Sequence, residues 1–141
     1  MIRFKGRCRV QPWVDEVEPG NIKLGSTLVS EGRPLPFTEI DCEQVRKTLP
    51  YADSSDCDQK KQCALGRAMG RVVAHELYHA LAKTTVHAGK GLARASQCLR
   101  ELVSGSLRFR TEDSEAIRHG VTGRPPVSSF SFTSPQPAHG H

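Results

Sequence analysis

The feature that most constrains this chain is a long segment with helical periodicity that carries two histidines and a glutamate. Apolar residues recur at helical spacing over residues 59–82, which predicts one long helix. Near its end the segment reads HELYH, at positions 75–79. Residues four apart project from the same side of a helix, so His75 and His79 can direct both imidazoles at one point. This spacing is typical of a pair of metal ligands on a helix.

Glu76 adds a proton acceptor to this pair. On a helical wheel Glu76 falls between Leu65 and Met69, inside the apolar arc, where a carboxylate is costly without a partner. Zinc would lower the pKa of a bound water toward about 7, and a neighbouring carboxylate can take its proton. We therefore expect Zn²⁺ on His75 and His79, with Glu76 as general base. The alternative is a salt-bridged core glutamate beside two structural histidines.

Two residues are candidates for a third ligand, His87 and Glu101. The helix should end soon after residue 82, because residues 84–86 are β-branched and glycines follow at 89 and 91. The chain can then turn back and bring His87, eight residues after His79, to the ion. Glu101 would instead come from a later helix. We prefer His87, because the small residues that follow it have no other evident purpose.

The motif resembles the active-site helix of the zincin metallopeptidases. The longer segment HELYHALAKTTVHAGKGLA, residues 75–93, is similar to a small bacterial group of zincins. The resemblance implies that His75 and His79 bind zinc and that Glu76 is the general base of peptide-bond hydrolysis. It also implies a short mixed sheet over the helix, whose edge strand could align a peptide or protein substrate.

The chain departs from the best-known zincin patterns in several places. Metzincins have their third histidine closer to the second, with a glycine between, and a downstream methionine turn. Here no glycine stands between His79 and His87, and both methionines precede the motif. The distance from His79 to Glu101 instead resembles the gluzincins, in which a glutamate on a second helix completes the site.

The remainder of the chain predicts an α+β fold, with a small antiparallel or mixed sheet packed on the long helix and two or three further helices. Residues 22–30 and 35–41 flank a Gly/Pro turn and predict a hairpin. Pro36 has no N–H to donate, so its strand should be exposed on at least one side. Shorter helices are expected over residues 42–49, 96–103 and 112–118, the first with Asp41 as its N-cap.

Composition divides the chain into one domain, residues 1–120, and a tail, residues 121–141. The tail is rich in Ser, Pro, Thr and Gly and has no apolar period, so we expect it to be disordered. Within the long helix Gly66, Gly70 and Ala74 form a row of small residues, which predicts close packing against a sheet or another helix.

A net charge of +5 and a sequence pI near 9.1 raise the possibility of a polyanionic partner. Basic and apolar residues alternate over residues 2–10, which is typical of a strand with one basic face. No recognisable nucleic-acid motif accompanies this charge, so a solvated face is the preferred interpretation. A nucleic-acid-binding protein with a structural metal site remains the alternative.

The five cysteines leave several possibilities open. Their odd number requires at least one thiol that is free or paired between chains. Cys57 and Cys63 could bridge to each other or to Cys42, or remain thiols. Cys98 could instead be the fourth ligand of a non-catalytic zinc module. No sequence feature indicates a compartment: no run of about twenty apolar residues occurs, and no apolar stretch typical of a secretion signal follows the first residues.

Overall fold

The computed structural model describes residues 1–9, 23–49 and 57–123. They form a small three-stranded sheet and four helices, so the expected α+β class with a mixed sheet is confirmed. In chain order the elements are β1 (Ile2–Lys5), β2 (Gly25–Ser30), β3 (Arg33–Asp41), α1 (Cys42–Thr48), α2 (Asp58–Ala82), α3 (Leu99–Val103) and α4 (Thr111–Thr122).

The hairpin predicted from the sequence is formed by β2 and β3, which pair antiparallel. Its turn is shorter than predicted, because Arg33 already pairs with Ser30. The two connecting residues, Glu31 and Gly32, have φ angles of 51° and 74°. Two consecutive left-handed residues match the twist of the flanking strands, which is why such turns are common in two-residue hairpins.

The place of β3 in the sheet differs from the expectation based on Pro36. β3 is the central strand, because β1 pairs with it in parallel on the side away from β2. This pairing covers only Thr38 to Asp41, so β2 is the only described strand that pairs with the first half of β3, which contains Pro36. The terminal amine of Met1 also donates a hydrogen bond to the carbonyl oxygen of Pro36. The exposure that proline requires is thus confined to one half of the strand.

The long helix α2 matches its predicted extent and supplies much of the core. Its apolar face packs between the sheet and helices α1 and α3. The buried core side chains are Ile40 from β3, Val45 and Leu49 around α1, Leu65, Ala68 and Val72 from α2, and Leu102 from α3. Burial of each large side chain contributes about 1.5–3 kcal/mol, so this cluster fixes α2 against the sheet.

The row of small residues on α2 does not pack as predicted. A Cβ atom added at Gly66 or Gly70 would meet nothing within 4 Å, and both glycines are exposed. The packed face of the helix lies on the side of Leu65, Ala68 and Val72, so the glycine row points away from the core.

The close contact of α2 lies instead at its C-terminal end, where it crosses α4. A Cβ at Gly120 would stand 2.0 Å from the carbonyl oxygen of Leu81, so only glycine permits this approach. Helix α4 is longer than predicted and continues through Thr122. Apart from residues 121–123, the expected disordered tail lies outside the described residues.

Of residues 2–9, only Ile2–Lys5 form a strand, and the basic side chains of this strand have acidic partners. Arg3 lies 3.8 Å from Glu39, and Lys5 lies 3.9 Å from Asp41. These pairs match the β1–β3 register, so this part of the basic face is directed at the acidic residues of β3. No helix among the described residues is long and apolar enough to cross a membrane.

A disulfide joins Cys8, just after β1, to Cys42, the first residue of α1. The sequence offered Cys57 or Cys63 as partners for Cys42, but both are free and exposed, as is Cys98. The choice is topological, because β1 runs parallel to β3 and its C-terminal end therefore lies where β3 leads into α1. Helix α1 begins there as predicted, since Asp41 accepts a hydrogen bond from the Gln44 N–H at 2.9 Å.

Candidate metal centre

The last two turns of α2 carry His75 and His79, and both side chains are held by the chain that follows the helix. Nδ1 of His75 lies 2.8 Å from the carbonyl oxygen of Leu92, and Nδ1 of His79 lies 2.8 Å from that of Thr84. The helix ends at Lys83, whose left-handed conformation (φ 52°, ψ 40°) reverses the chain. This reversal brings the carbonyl oxygen of Thr84 within hydrogen-bond distance of the His79 ring.

The reversed chain then brings His87 to the pair. Its Nε2 atom lies 3.2 Å from Nε2 of His79, which in turn lies 3.2 Å from Nε2 of His75. Within the described residues these three histidines form a group whose ligand atoms all lie within 4.8 Å of one another. They are close enough to bind one metal ion.

The small residues after His87 allow the following loop to turn tightly. Ala88 donates its N–H to the carbonyl oxygen of Ala93, which closes a tight turn. Gly91 within the turn has a φ of 76°, and a Cβ there would stand 2.9 Å from the carbonyl oxygen of Arg108. The turn thereby returns the chain to Leu92, whose carbonyl oxygen is the acceptor that orients His75.

The tautomers of His75 and His79 leave both Nε2 atoms suited to bind a cation. A backbone carbonyl only accepts, so Nδ1 of His75 and Nδ1 of His79 carry the protons of these two bonds. In the neutral rings each Nε2 then presents a lone pair, and two lone pairs 3.2 Å apart repel one another. A cation between them removes this repulsion, and orientation by a carbonyl is typical of metal-binding histidines.

The spacing also fits the geometry of a tetrahedral ion. Nitrogens bound to one zinc at about 2.0–2.1 Å with tetrahedral angles lie about 3.3–3.4 Å apart. Both measured Nε2–Nε2 distances, at 3.2 Å, are close to this value. Three histidines leave the fourth tetrahedral position of such an ion open. Among the described residues, no Cys, Asp, Glu or further His lies close enough to the three histidines to occupy that position.

The electrostatics of His87 favour the neutral form that binds metals. His87 as a whole residue is exposed, but partial desolvation of its imidazole lowers its pKa, and the neighbouring His79 and His75 lower it further. Glu76 acts in the opposite direction but is the smallest of these influences. His87 therefore keeps its nitrogen lone pair available near neutral pH.

Glu101, the other candidate for a third ligand, is engaged elsewhere. Its carboxylate accepts a hydrogen bond from the Cys98 N–H at 2.9 Å, which caps helix α3, and it forms an ion pair with Arg94. The hydrogen bonds from Cys98, followed by the influence of Arg94, lower the pKa of the Glu101 carboxyl. Neither Glu101 nor Cys98 joins the histidine group, so the structure selects His87 between the two candidates.

Glu76 lies beside the histidines and is 7% exposed, as expected for a residue on the apolar arc. The hydroxyl of Thr27 on β2 lies 2.8 Å from the Oε2 atom of Glu76 and 2.9 Å from its backbone carbonyl oxygen, so these two acceptors share the single hydroxyl proton. The alternative of a salt-bridged core glutamate is not observed, because no described cation pairs with this carboxylate. No sequence pattern indicates Thr27, which lies 49 residues before Glu76 in the chain.

Gly25 allows Glu76 to fit against the sheet. A Cβ at this position would stand 3.0 Å from the Glu76 side chain and 3.0 Å from that of Val72. The first residue of β2 is therefore one that leaves room for a carboxylate between α2 and the sheet. This close approach is the second contribution of β2 to the site, after the hydroxyl of Thr27.

The three histidines and Glu76 line one cleft of about 630 Å³. Residues 23–27 and Val29, from β2 and the chain before it, line this cleft, and so do residues 94–97. Tyr78, Arg118 and His119 do not line this cleft, so none of them is placed to stabilise an oxyanion there. Tyr78 is buried and packs near Phe109, and its burial raises the pKa of the phenol.

Comparisons with protein-family models, with curated proteins and with solved structures find no match to this chain. The site is therefore interpreted from its own geometry and chemistry.

Proposed function

We propose that this protein is a zinc-dependent metallopeptidase that hydrolyses peptide bonds with Glu76 as its general base. The observation that carries the proposal is the arrangement of three imidazole nitrogens around one point, beside a buried carboxylate, in a single cleft. Three protein ligands and an open fourth position are typical of catalytic rather than structural zinc sites. Imidazole ligands suit zinc, although copper, iron and nickel accept them as well.

In this proposal His75, His79 and His87 hold the ion through Nε2. A bound zinc supplies a Lewis acid that polarises the peptide carbonyl and acidifies the attacking water. Glu76 accepts the proton of that water and transfers it to the amine of the leaving fragment. Thr27 fixes Oε2 of Glu76, so that the carboxylate does not rotate away from the reacting groups.

The cleft also supports a polypeptide as the substrate class. Strand β2 pairs with β3 on one side, and no other described strand covers its second side. An extended peptide can add to such an edge through main-chain hydrogen bonds, which recognise any sequence. The scissile bond would then lie between β2 and the histidines, within reach of Glu76.

The test combines metal analysis with one isosteric substitution. The purified full chain should hold close to one zinc per molecule and cleave an unstructured protein such as casein. Glu76→Gln should keep its zinc and lose activity by at least about 100-fold, the lower range for a general base. His119→Ala, on the exposed face of α4, is the matched control and should keep both.

Three results would contradict this proposal. Zinc lost from Glu76→Gln would mean that the carboxylate is a ligand rather than a base. Full activity in Glu76→Gln, with zinc retained, would remove the general base from the mechanism. A wild-type protein that binds zinc but cleaves no peptide bond would favour the non-catalytic zinc module instead.

A further inference from the structure

The cleft beside the histidines carries more cationic than anionic side chains. Among the described residues that line it, Lys23 and Arg94 are cationic and Glu76 is the carboxylate. Glu76 is buried and already accepts a hydrogen bond from Thr27. We propose that Arg94 binds a carboxylate of the peptide substrate, so that the cleft favours peptides that present one to it. This inference rests on the peptidase function proposed above and names its substrate class.

The backbone places Arg94 beside the metal centre. Ala88 and Arg94 form an isolated β-bridge, and Ala88 directly follows His87. The turn between them is closed by the hydrogen bond from Ala88 to Ala93. A substrate group bound by Arg94 would therefore lie within a few residues of the bond to be cleaved.

The guanidinium of Arg94 is held in place but keeps donors to spare. Nη2 forms an ion pair with Oε2 of Glu101, and Nε donates to the carbonyl oxygen of Ser96. Nη1 makes no hydrogen bond within the described part of the chain. The Arg94 side chain is 35% exposed, so a ligand in the cleft can reach this remaining nitrogen.

Glu101 is also fixed, which makes Arg94 a preorganised receptor. The Cys98 N–H donates a hydrogen bond to the Glu101 carboxylate at the start of α3. Because the carboxylate is held there, its ion pair with Arg94 restrains the guanidinium. Little side-chain entropy is then lost when a ligand binds, and binding is correspondingly tighter. The planar guanidinium matches a carboxylate in shape as well as in charge. Lys23, which also lines the cleft, adds attraction that salt should screen.

Such a carboxylate could be an internal Asp or Glu side chain or the C-terminal carboxylate of the peptide. Four fluorescein-labelled peptides of one length separate these sources: Glu or Gln at the internal positions, each with a free or an amidated C-terminus. Their Kd values are measured by fluorescence anisotropy on zinc-loaded Glu76→Gln, which binds without turnover. Their kcat/KM values are measured on the wild type.

We expect the peptides that carry the recognised carboxylate to bind about tenfold more tightly, the size expected for one charge-assisted hydrogen bond. In the Glu76→Gln protein, the second substitution Arg94→Gln should abolish this preference, whereas Arg94→Lys should retain part of it. Arg100→Gln, an exposed arginine that does not line the cleft, is the matched control and should leave it unchanged. Thermal melting checks that each variant is folded, and Arg94→Lys keeps the test usable if Arg94→Gln is unstable.

The outcomes separate this inference from the proposed function. Equal Kd values for all four peptides, or a preference that survives Arg94→Gln, would overturn carboxylate binding by Arg94 even if the protein is an active peptidase. A preference that Arg94→Gln removes, in a protein without peptidase activity, would support the binding site and overturn the proposed function.

Discussion

The hydrogen bond between Thr27 and Glu76 gives the most direct test of how the sheet supports the site. Thr27→Val replaces the hydroxyl by a methyl group of similar size and leaves the Glu76 carboxylate, 7% exposed, without a described donor. A hydrogen bond to a charged group contributes about 1.5–3 kcal/mol, and we expect the free energy of unfolding of Thr27→Val to fall by that amount. Thr27→Ser keeps the hydroxyl and loses one half-buried methyl group, which costs less than about 0.8 kcal/mol.

The assay is urea unfolding of the zinc-free protein at pH 7 with a chelator present, because a bound metal would add its own stabilisation. Peptidase activity of the zinc-loaded variants is measured in parallel. We expect kcat of Thr27→Val to fall while zinc content is kept, and Thr27→Ser to retain most of the activity. Equal stability of Thr27→Val and wild type, or equal losses in the Val and Ser variants, would refute the reasoning.

Three further predictions concern the fold. Cys8→Ser removes the disulfide to Cys42, which closes a loop with a sequence separation of 34 and so contributes about 3–4 kcal/mol of loop-closure entropy. Without reductant, this variant should unfold at a lower urea concentration than wild type, and equal midpoints would contradict the prediction. Gly66→Ala, exposed in mid-helix, should raise the free energy of unfolding by about 0.8–1 kcal/mol. Gly120→Ala should lower the free energy of unfolding by about 3 kcal/mol or more, because the added Cβ meets the backbone of Leu81. Equal changes in the stability of the Gly66 and Gly120 variants would disprove the packing assigned to these glycines.

Local patterns in the sequence were sufficient for the helix that carries the site. The spacing of His75 and His79 follows from helical geometry alone, and so does the burial of Glu76 between apolar neighbours. The helix stop near residue 82 and the turn that returns His87 were predicted from β-branched residues and glycines. These features depend on residues close together in the chain, so short-range rules describe them.

The tertiary structure decided which distant groups complete the site. The carbonyl oxygens of Leu92 and Thr84 orient the two helical histidines. They are backbone groups, so no pattern of side chains in the sequence predicts where they lie. Thr27 reaches Glu76 only because β2 and β3 pair in one register and α2 packs across them.

The same distinction separates the correct from the incorrect expectations about the fold. The glycine row of α2 was taken as a packing surface, but which side of a helix is covered depends on where its neighbours lie. The partner of Cys42 was likewise undetermined, because five cysteines allow several pairings and only the parallel β1–β3 pairing brings Cys8 to α1. The sequence by itself determined the helix that carries His75 and His79 and the loop that returns His87 to them. The cleft was decided by the packing of β2 and of residues 94–97 around that helix, because only long-range contacts bring these segments together.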